Sequence, residues 1–479
     1  MQSMPNFLKT MEGRKAPATS LYKASYYGIF SGNYDFESLE KAAKIFEEAG
    51  DLEMVAYCLF LLLNRSRRNL RSEYWLDYSL DFLNKNMRSP QLRSVVTRLG
   101  FNIAANFWWE SKFDREREVN EMVLSYALEN GIDDLFTKAL QIHSANLIQL
   151  RNSNDIEKVF NTYQEMEKSV ISNLSRDPMN EMFVNVAASF YDAYANQYVF
   201  LKHDLAKADE IFQRGSNQNQ ELCSSTNRRI IPVEKAFMIL LPRGEWDEII
   251  LSLADETPRN VIDDHISLMT ELTNAIMDAY RGKWDSVFST FDKADEISSA
   301  QYLSYSPSYR TIILVEQNRI KEASEYVEKI LAKIKGLIIN AEIFSGYVEM
   351  LYYGSLINII LDNREKAEGY LKSLEEVSSQ FKEDWITNYL KASKSRFEEK
   401  FGELKEAIEL MREARDAFSR SGYKLLAAQL SYELARMYHK NEEWEKSSAA
   451  IEDALSIFDK LNCTPFVEKC LSLKEMLNA

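Results

Sequence analysis

Residues 402–418 read GELKEAIELMREARDAF, and this stretch decides the fold. The polar pair Gly402-Glu403 is followed by Leu404, and apolar side chains return at Ala407, Ile408, Met411, Ala414 and Phe418. That is the 3.6-residue spacing of a helix with one buried stripe. Glu403, Lys405, Glu406, Glu409, Arg412 and Glu413 take the other faces. The same opening recurs along the chain: a polar or Gly residue, one more residue, a bulky one, then usually a charge. It is seen in Gly32-Asn33-Tyr34, Ser72-Glu73-Tyr74, Ser111-Lys112-Phe113, Asn154-Asp155-Ile156 and His203-Asp204-Leu205. It continues in Gly244-Glu245-Trp246, Gly282-Lys283-Trp284, Asn318-Arg319-Ile320, Asp362-Asn363-Arg364, Gly402-Glu403-Leu404 and Glu442-Glu443-Trp444. Successive third positions lie 36 to 49 residues apart, with a mean of 41. A fixed period of this length means stacked supersecondary units rather than one globular core.

Composition agrees. The 479 residues hold only 15 Gly and 9 Pro, with no Gly/Ser- or Pro-rich linker, too few loop formers for a mixed α/β enzyme. No segment alternates at period two long enough to form a strand. The sequence therefore predicts an all-α chain: a right-handed α-solenoid of about eleven antiparallel helix–turn–helix repeats with a C-terminal capping helix. Residues 1–18 are expected to be irregular, 19–461 to form the solenoid and 462–479 the cap. Pro178, Pro258, Pro307 and Pro465 are expected at helix starts or between units, because proline breaks helix interiors.

The longest apolar run, residues 57–63, is far short of the roughly 20 residues that span a bilayer. No apolar core of a secretory signal opens the chain. Cys58, Cys223, Cys463 and Cys470 contain no CxxC pair and are too few for a disulfide framework, so reduced thiols and a cytoplasmic location are expected. The net charge of −15 disfavours general nucleic-acid affinity. Residues 1–120 carry 17 Lys and Arg against 15 Asp and Glu, so the excess acid lies downstream. Basic residues peak at Asn64–Arg71 and continue at Arg88, Arg93 and Arg98, either a solvated face or a docking patch for an acidic partner.

At the level of individual positions the chain resembles the tetratricopeptide family. In the last unit that family's small, aromatic and apolar positions fall at Ala435, Tyr438, Trp444, Ser447, Ile451 and Ala454. The small residue nine before each turn recurs as Ala104, Ala275, Thr311, Ser355, Ser395 and Ala435. The one three after it recurs as Ala208, Ala323, Ala367, Ala407 and Ser447. Helices approach closely only where side chains are this small. Glu37, Asp77 and Glu116 break the pattern in the first three units. The long period and the ending, with Pro465 before a last helix, are similar to the sensor solenoids of maltose-regulator-like transcription activators. Nothing resembles the ATPase or DNA-binding domains of those proteins.

The resemblance implies a concave groove lined by residues 15, 12, 8 and 5 before each turn position. In the C-terminal half these include Tyr305, Glu349, Tyr352, Tyr389, Arg396, Glu399, Gln429, Tyr432, Arg436 and His439; near the N-terminus they include Arg98 and Trp108. Tyrosines with interspersed charges suit a protein or peptide partner. The central positions Met269, Leu272, Ile276 and Ala279 are apolar and imply either an oily groove or tight superhelical closure. In Phe107-Trp108-Trp109 one tryptophan is expected in the core and the other partly exposed.

Chemical motifs are absent. There is no GxxxxGK[ST], GxGxxG, HExxH, GxSxG or kinase signature. His143, His203, His265 and His439 are far apart, and none has a Cys or second His at metal-ligand spacing. Asp263-Asp264-His265 reads as a helix start. The sequence thus points to a non-catalytic scaffold without cofactor or metal, its partner in the groove, homo-oligomerisation open, possible role sensing or regulatory. The alternatives are a small-molecule-sensing solenoid, and an enzyme or phosphatase-type regulator similar in architecture to peptide-responsive bacterial regulators.

Overall fold

The computed structural model describes residues 16–31, 36–66, 72–110, 112–217, 231–253, 264–284, 287–296, 300–335, 337 and 339–478. Among them there is helix and turn but no strand. Where the sequence shows one continuous register, the contacts fall into two units, the first ending at Ser144 and the second starting at Ala145.

The first unit is built from α1 (Ala16–Ser31), α2 (Phe36–Glu48), α3 (Leu52–Ser66), α4 (Ser72–Asn86), α5 (Val96–Trp109), α6 (Phe113–Glu129) and most of α7 (Leu135–Asn146). Helix α2 buries Leu39, Ala42, Ala43 and Phe46, one stripe at helical spacing. The crossing of α5 and α6 depends on Gly100, where a Cβ would come within 2.5 Å of Val123. The irregular Glu116 is fully buried and meets His143 Nδ1 at 2.8 Å. Burial pushes its carboxyl pKa up.

The second unit begins with α8 (Ser153–Arg176), α9 (Glu181–Gln197) and α10 (Leu205–Ser216). A helical segment over 231–243, α11, leads to α12 (Trp246–Leu253), α13 (Asp264–Tyr280), α14 (Val287–Glu296), α15 (Ala300–Glu316) and α16 (Ile320–Ile334). Then come α17 (Ala341–Ile360), α18 (Arg364–Phe381), α19 (Asp384–Phe401), α20 (Leu404–Arg420), α21 (Lys424–Lys440), α22 (Trp444–Phe458) and α23 (Thr464–Asn478). Seven helices start on the residue that the repeat marks: Phe113, Leu205, Trp246, Ile320, Arg364, Leu404 and Trp444. In five of these the preceding turn is the cause. His203, Gly244, Gly282, Asn318, Asp362 and Glu442, each two residues before the mark, take a left-handed backbone. That conformation reverses the chain and favours glycine or a short polar residue. Asp204 and Asn363 then cap the new helices by accepting from the backbone N–H of Lys207 and Lys366.

The small positions meet where helices cross. Ser395 Oγ donates to the Ala407 carbonyl oxygen at 2.6 Å, and Ser447 Oγ to that of Ala435 at 2.8 Å. Ala208, Ala323, Ala367, Thr311 and Ser355 are fully buried. Ala275 differs and is only half-buried. Pro307 also departs from expectation: it lies inside α15, where it removes the hydrogen bond that its nitrogen would donate one turn back. Pro465 is the second residue of α23 and agrees.

The second unit curls onto itself. Trp385 Nε1 donates to the Leu201 carbonyl at 2.9 Å, Lys202 pairs with Glu383 at 2.7 Å, and Arg281 Nε donates to the Leu461 carbonyl at 3.4 Å. The Tyr280 and Phe466 rings stack with centroids 5.2 Å apart. Met269, Leu272, Ile276 and Ala279 are accordingly buried, the closure outcome rather than the open groove. Helix α17 lies within this curl and is buried on nearly every side. Among the described residues, no helix is long and apolar enough to cross a membrane, and no group of three His, Cys, Asp or Glu could hold a metal.

Candidate binding site

The first helices of three consecutive repeats, α17, α19 and α21, open onto a common cavity of about 500 Å³ in the second unit. Tyr352, Leu356 and Ile359 line it from α17, Arg396 and Glu399 from α19, and Gln429, Tyr432, Glu433 and Arg436 from α21. Helix α15 adds Ile312, Val315 and Glu316, and Phe466 and Lys469 of α23 form part of the wall. The size falls in the range of roughly 300–1,000 Å³ typical of ligand sites.

Arg396 organises the floor of this cavity. Its Nε and Nη2 donate to the two carboxylate oxygens of Glu433 at 2.6 and 2.7 Å, and Nη2 also donates to Tyr352 Oη at 2.8 Å. The guanidinium lies 4.8 Å from the centre of the Tyr352 ring. Burial works against the charge, but Glu433 and Tyr352 outweigh it and raise the Arg396 pKa. At the rim, Arg436 and Lys440 reach Glu399 at 2.9 and 3.0 Å, and Lys469 pairs with Glu316. Five cations (Arg396, Lys400, Arg436, Lys440 and Lys469) face three carboxylates (Glu316, Glu399 and Glu433). The lining thus holds more cations than carboxylates in a protein whose net charge is −15, with Lys400 paired to Asp362 outside it at 3.4 Å.

A smaller inner chamber of about 100 Å³ adjoins it, and Ile312, Tyr353 and Gln429 line both. Tyr280, Tyr309, Tyr353, Tyr389 and Tyr423 surround it, with Phe200 and Phe237 from two π-helical turns, Tyr198–Lys202 and Ala236–Leu240. Such turns widen a helix locally and are frequent at functional sites. The one charged group in the lining is Glu349. It accepts from Ser308 Oγ and lies 3.5 Å from Tyr389 Oη. Burial lifts its carboxyl to about 7, against the pull of those two hydroxyls. Behind the chamber His203 is sandwiched between Trp385 and Tyr423, at 4.0 and 5.0 Å, with Nε2 3.4 Å from Ser345 Oγ. Burial lowers its pKa to about 3, so it stays neutral.

The structure thus brings together Tyr352, Arg396, Gln429, Tyr432 and Arg436 in the outer cavity, and places Tyr389 in the inner chamber. His439 sits elsewhere, half-buried against Trp444 at 5.1 Å. Arg98 and Trp108 belong to the first unit. Arg98 covers the rings of Tyr57, Phe60 and Phe136, and Trp108 is buried between Phe113 and His143. The side chains of Tyr305, Trp109, Asp264 and His265, with Asp263 and most of the basic run Asn64–Arg71, lie outside the described residues. Cys58, Cys463 and Cys470 are buried free thiols.

Sequence reasoning missed Glu433, Lys469, Ser308, Tyr309, Tyr353 and Tyr423. A usable signal existed for some of them. Ser308 and Glu349 are 41 residues apart, Arg396 and Glu433 37, and Arg436 and Glu399 37. Donor and acceptor pairs one repeat apart on the inner helices mark side chains that meet across neighbouring repeats.

No protein-family model matches the chain, and no curated protein matches it in sequence. Solved structures do. A Rap protein complexed with Competence and Sporulation Factor is 12% identical over 76% of this chain and 98% of its own, with a TM-score of 0.54. The Cut9-Hcn1 heterotetramer of APC/C covers 98% of this chain and 95% of its own at 12% identity and a TM-score of 0.41. The fold is a tetratricopeptide-like helical repeat.

Proposed function

We propose that this tetratricopeptide-like chain is a non-catalytic binding protein that takes a short peptide segment into the cavity between α17, α19 and α21. The observation that carries the reading is convergence. Three successive repeats converge on one cavity, α17 and α21 with tyrosines and α19 with charged side chains, and Arg396 is held in place by Glu433 and Tyr352. Tyrosines give contact area with a hydrogen-bonding tip, and the flanking charges give orientation. The Rap relative was solved with Competence and Sporulation Factor, which supports a ligand-receiving role for this fold. In this reading the chain is the sensing or regulatory part of a cytoplasmic signalling or transcription-control system.

The test is affinity selection. The purified chain is equilibrated with a pool of synthetic hexapeptides and, in parallel, with a pool of common metabolites, and bound species are identified by mass spectrometry. Retention of peptides that Tyr432→Ala or Arg436→Glu releases is expected. Retention from the metabolite pool alone would replace the peptide reading with that of a small-molecule sensor. Conversion of a retained compound would make the chain an enzyme.

A further inference from the structure

We propose that the inner chamber is an ammonium pocket, seating the cationic group of a bipolar peptide whose anionic end lies in the outer cavity. The proposal rests on the peptide-binding reading and adds the polarity of the ligand. Its first support is the unbalanced charge. Glu349 is the one charged side chain in the lining, and among the described residues no Lys, Arg or His lines the chamber. Arg396 and Lys202 are committed elsewhere, to Glu433 and Glu383. His203, which faces Ser345, Trp385, Tyr389 and Tyr423, is neutral and supplies no charge.

The second support is accessibility. Glu349 lies deep in the unit yet is only half-buried, because its surface opens onto the chamber. Ser308 and Tyr389 hold it without neutralising it. A buried carboxylate with hydroxyl partners alone is left with desolvation that only a positive charge offsets. The third support is the wall. Tyr309, Tyr353, Tyr389 and Tyr423 present aromatic rings around the carboxylate, and ring quadrupoles attract a desolvated ammonium. The chamber's 100 Å³ suits a compact ammonium better than a planar guanidinium with five donors. The outer cavity reverses the polarity, with five cations against three carboxylates beside apolar Ile312, Leu356 and Ile359. Ile312, Tyr353 and Gln429 line both spaces, so the two adjoin and one extended ligand is proposed to reach from one into the other.

An ammonium can come from a peptide N-terminus or a lysine side chain, so the experiment uses three hexapeptide pools. The first lacks Lys and Arg and has free ends, the second is its N-acetylated version, and the third is N-acetylated with one lysine per peptide. Each is equilibrated with the wild-type chain and with Glu349→Gln, and the best-retained peptides are measured by calorimetry. Acetylation is expected to weaken binding to the wild type by about tenfold or more, the worth of one buried charge-assisted contact. Recovery in the lysine pool assigns the ammonium to a side chain, and no recovery assigns it to the terminus. Glu349→Gln is expected to lose the same factor and to become indifferent to acetylation. Glu349→Asp keeps a carboxylate at this position and should keep part of the discrimination, which separates charge recognition from a folding defect. Equal wild-type affinity across all three pools overturns the ammonium pocket and leaves the peptide-binding reading intact. Retention from none of the pools overturns both.

Discussion

The outer cavity and the inner chamber share walls but treat a buried charge in opposite ways. In the outer cavity Arg396 meets a carboxylate and a phenol, and both partners reinforce its charge. In the inner chamber Glu349 meets hydroxyls only, and burial leaves its carboxyl near neutrality at about 7. The contrast separates a structural charge from a receptive one. A buried ion with its counter-ion in place is finished, whereas one held by neutral donors still has affinity to give.

The largest effect should come from breaking the finished pair. Glu433→Ala leaves the Arg396 guanidinium buried beside Tyr352 with no counter-charge, a change that typically costs about 3–5 kcal/mol. Urea unfolding of the second-unit transition should therefore shift strongly. The double variant Arg396→Met, Glu433→Leu removes both charges and should recover most of that loss. If the single and double variants unfold alike, the pair is not what holds the cavity floor.

Next comes the pH response of Glu349, which the paired cavity should lack. Its folded-state pKa of about 7 lies above the ordinary 4.5, so between those values the native state holds a proton that the unfolded chain has released. Stability attributable to this group is thus present below pH about 4.5 and is lost as pH rises to 7, by about 3 kcal/mol in all. The groups facing it are Ser308 and the Tyr309, Tyr353, Tyr389 and Tyr423 phenols, with neutral His203 behind, and none of these titrates across that window. Glu349→Gln should therefore gain stability relative to the wild type between pH 5 and pH 8. Parallel curves would place the Glu349 titration outside that window.

The repeat register beneath this contrast was legible in the sequence, for a reason rooted in the architecture. Repeat proteins bury their cores between neighbours, so whatever recurs once per repeat is written locally. The helix starts at Leu205, Trp246, Ile320, Arg364, Leu404 and Trp444 follow from spacing, and the family resemblance implied a common face for Glu349, Tyr352, Arg396, Gln429 and Arg436. The closure of the second unit does not. The contacts of Trp385 with Leu201 and of Arg281 with Leu461 join residues 184 and 180 positions apart. They depend on small rotations accumulated over several repeats, which no single repeat records. The inner chamber is a product of that closure: Phe200 and Phe237 come from early helices and meet Tyr389 and Tyr423 only because the chain returns. His439 shows the opposite failure, a spacing rule followed one step too far, to a position turned toward Trp444.

A smaller effect probes how the hydroxyls support the receptive charge. Ser308→Ala removes one donor to Glu349, which should cost about 1–2 kcal/mol at neutral pH. With that favourable bond gone, the carboxyl pKa should rise further, so the pH-dependent loss of stability should extend above pH 7. An unchanged midpoint would mean that Tyr389 alone satisfies the carboxylate.

The smallest effect belongs to the rim. Arg436 reaches Glu399 at 2.9 Å, but its side chain is 46% exposed, so water and salt screen the pair. Arg436→Ala should change stability by less than about 1 kcal/mol, and added salt should erase most of even that. Lys440 still holds Glu399 at 3.0 Å, so the carboxylate is not abandoned. If the outer cavity receives an anionic ligand end, this same variant should weaken binding while leaving unfolding nearly untouched. That split is opposite to the one expected of Glu433→Ala, where stability falls first. A rim arginine whose loss unfolds the unit would erase the distinction between charges that build the cavity and charges that await a partner.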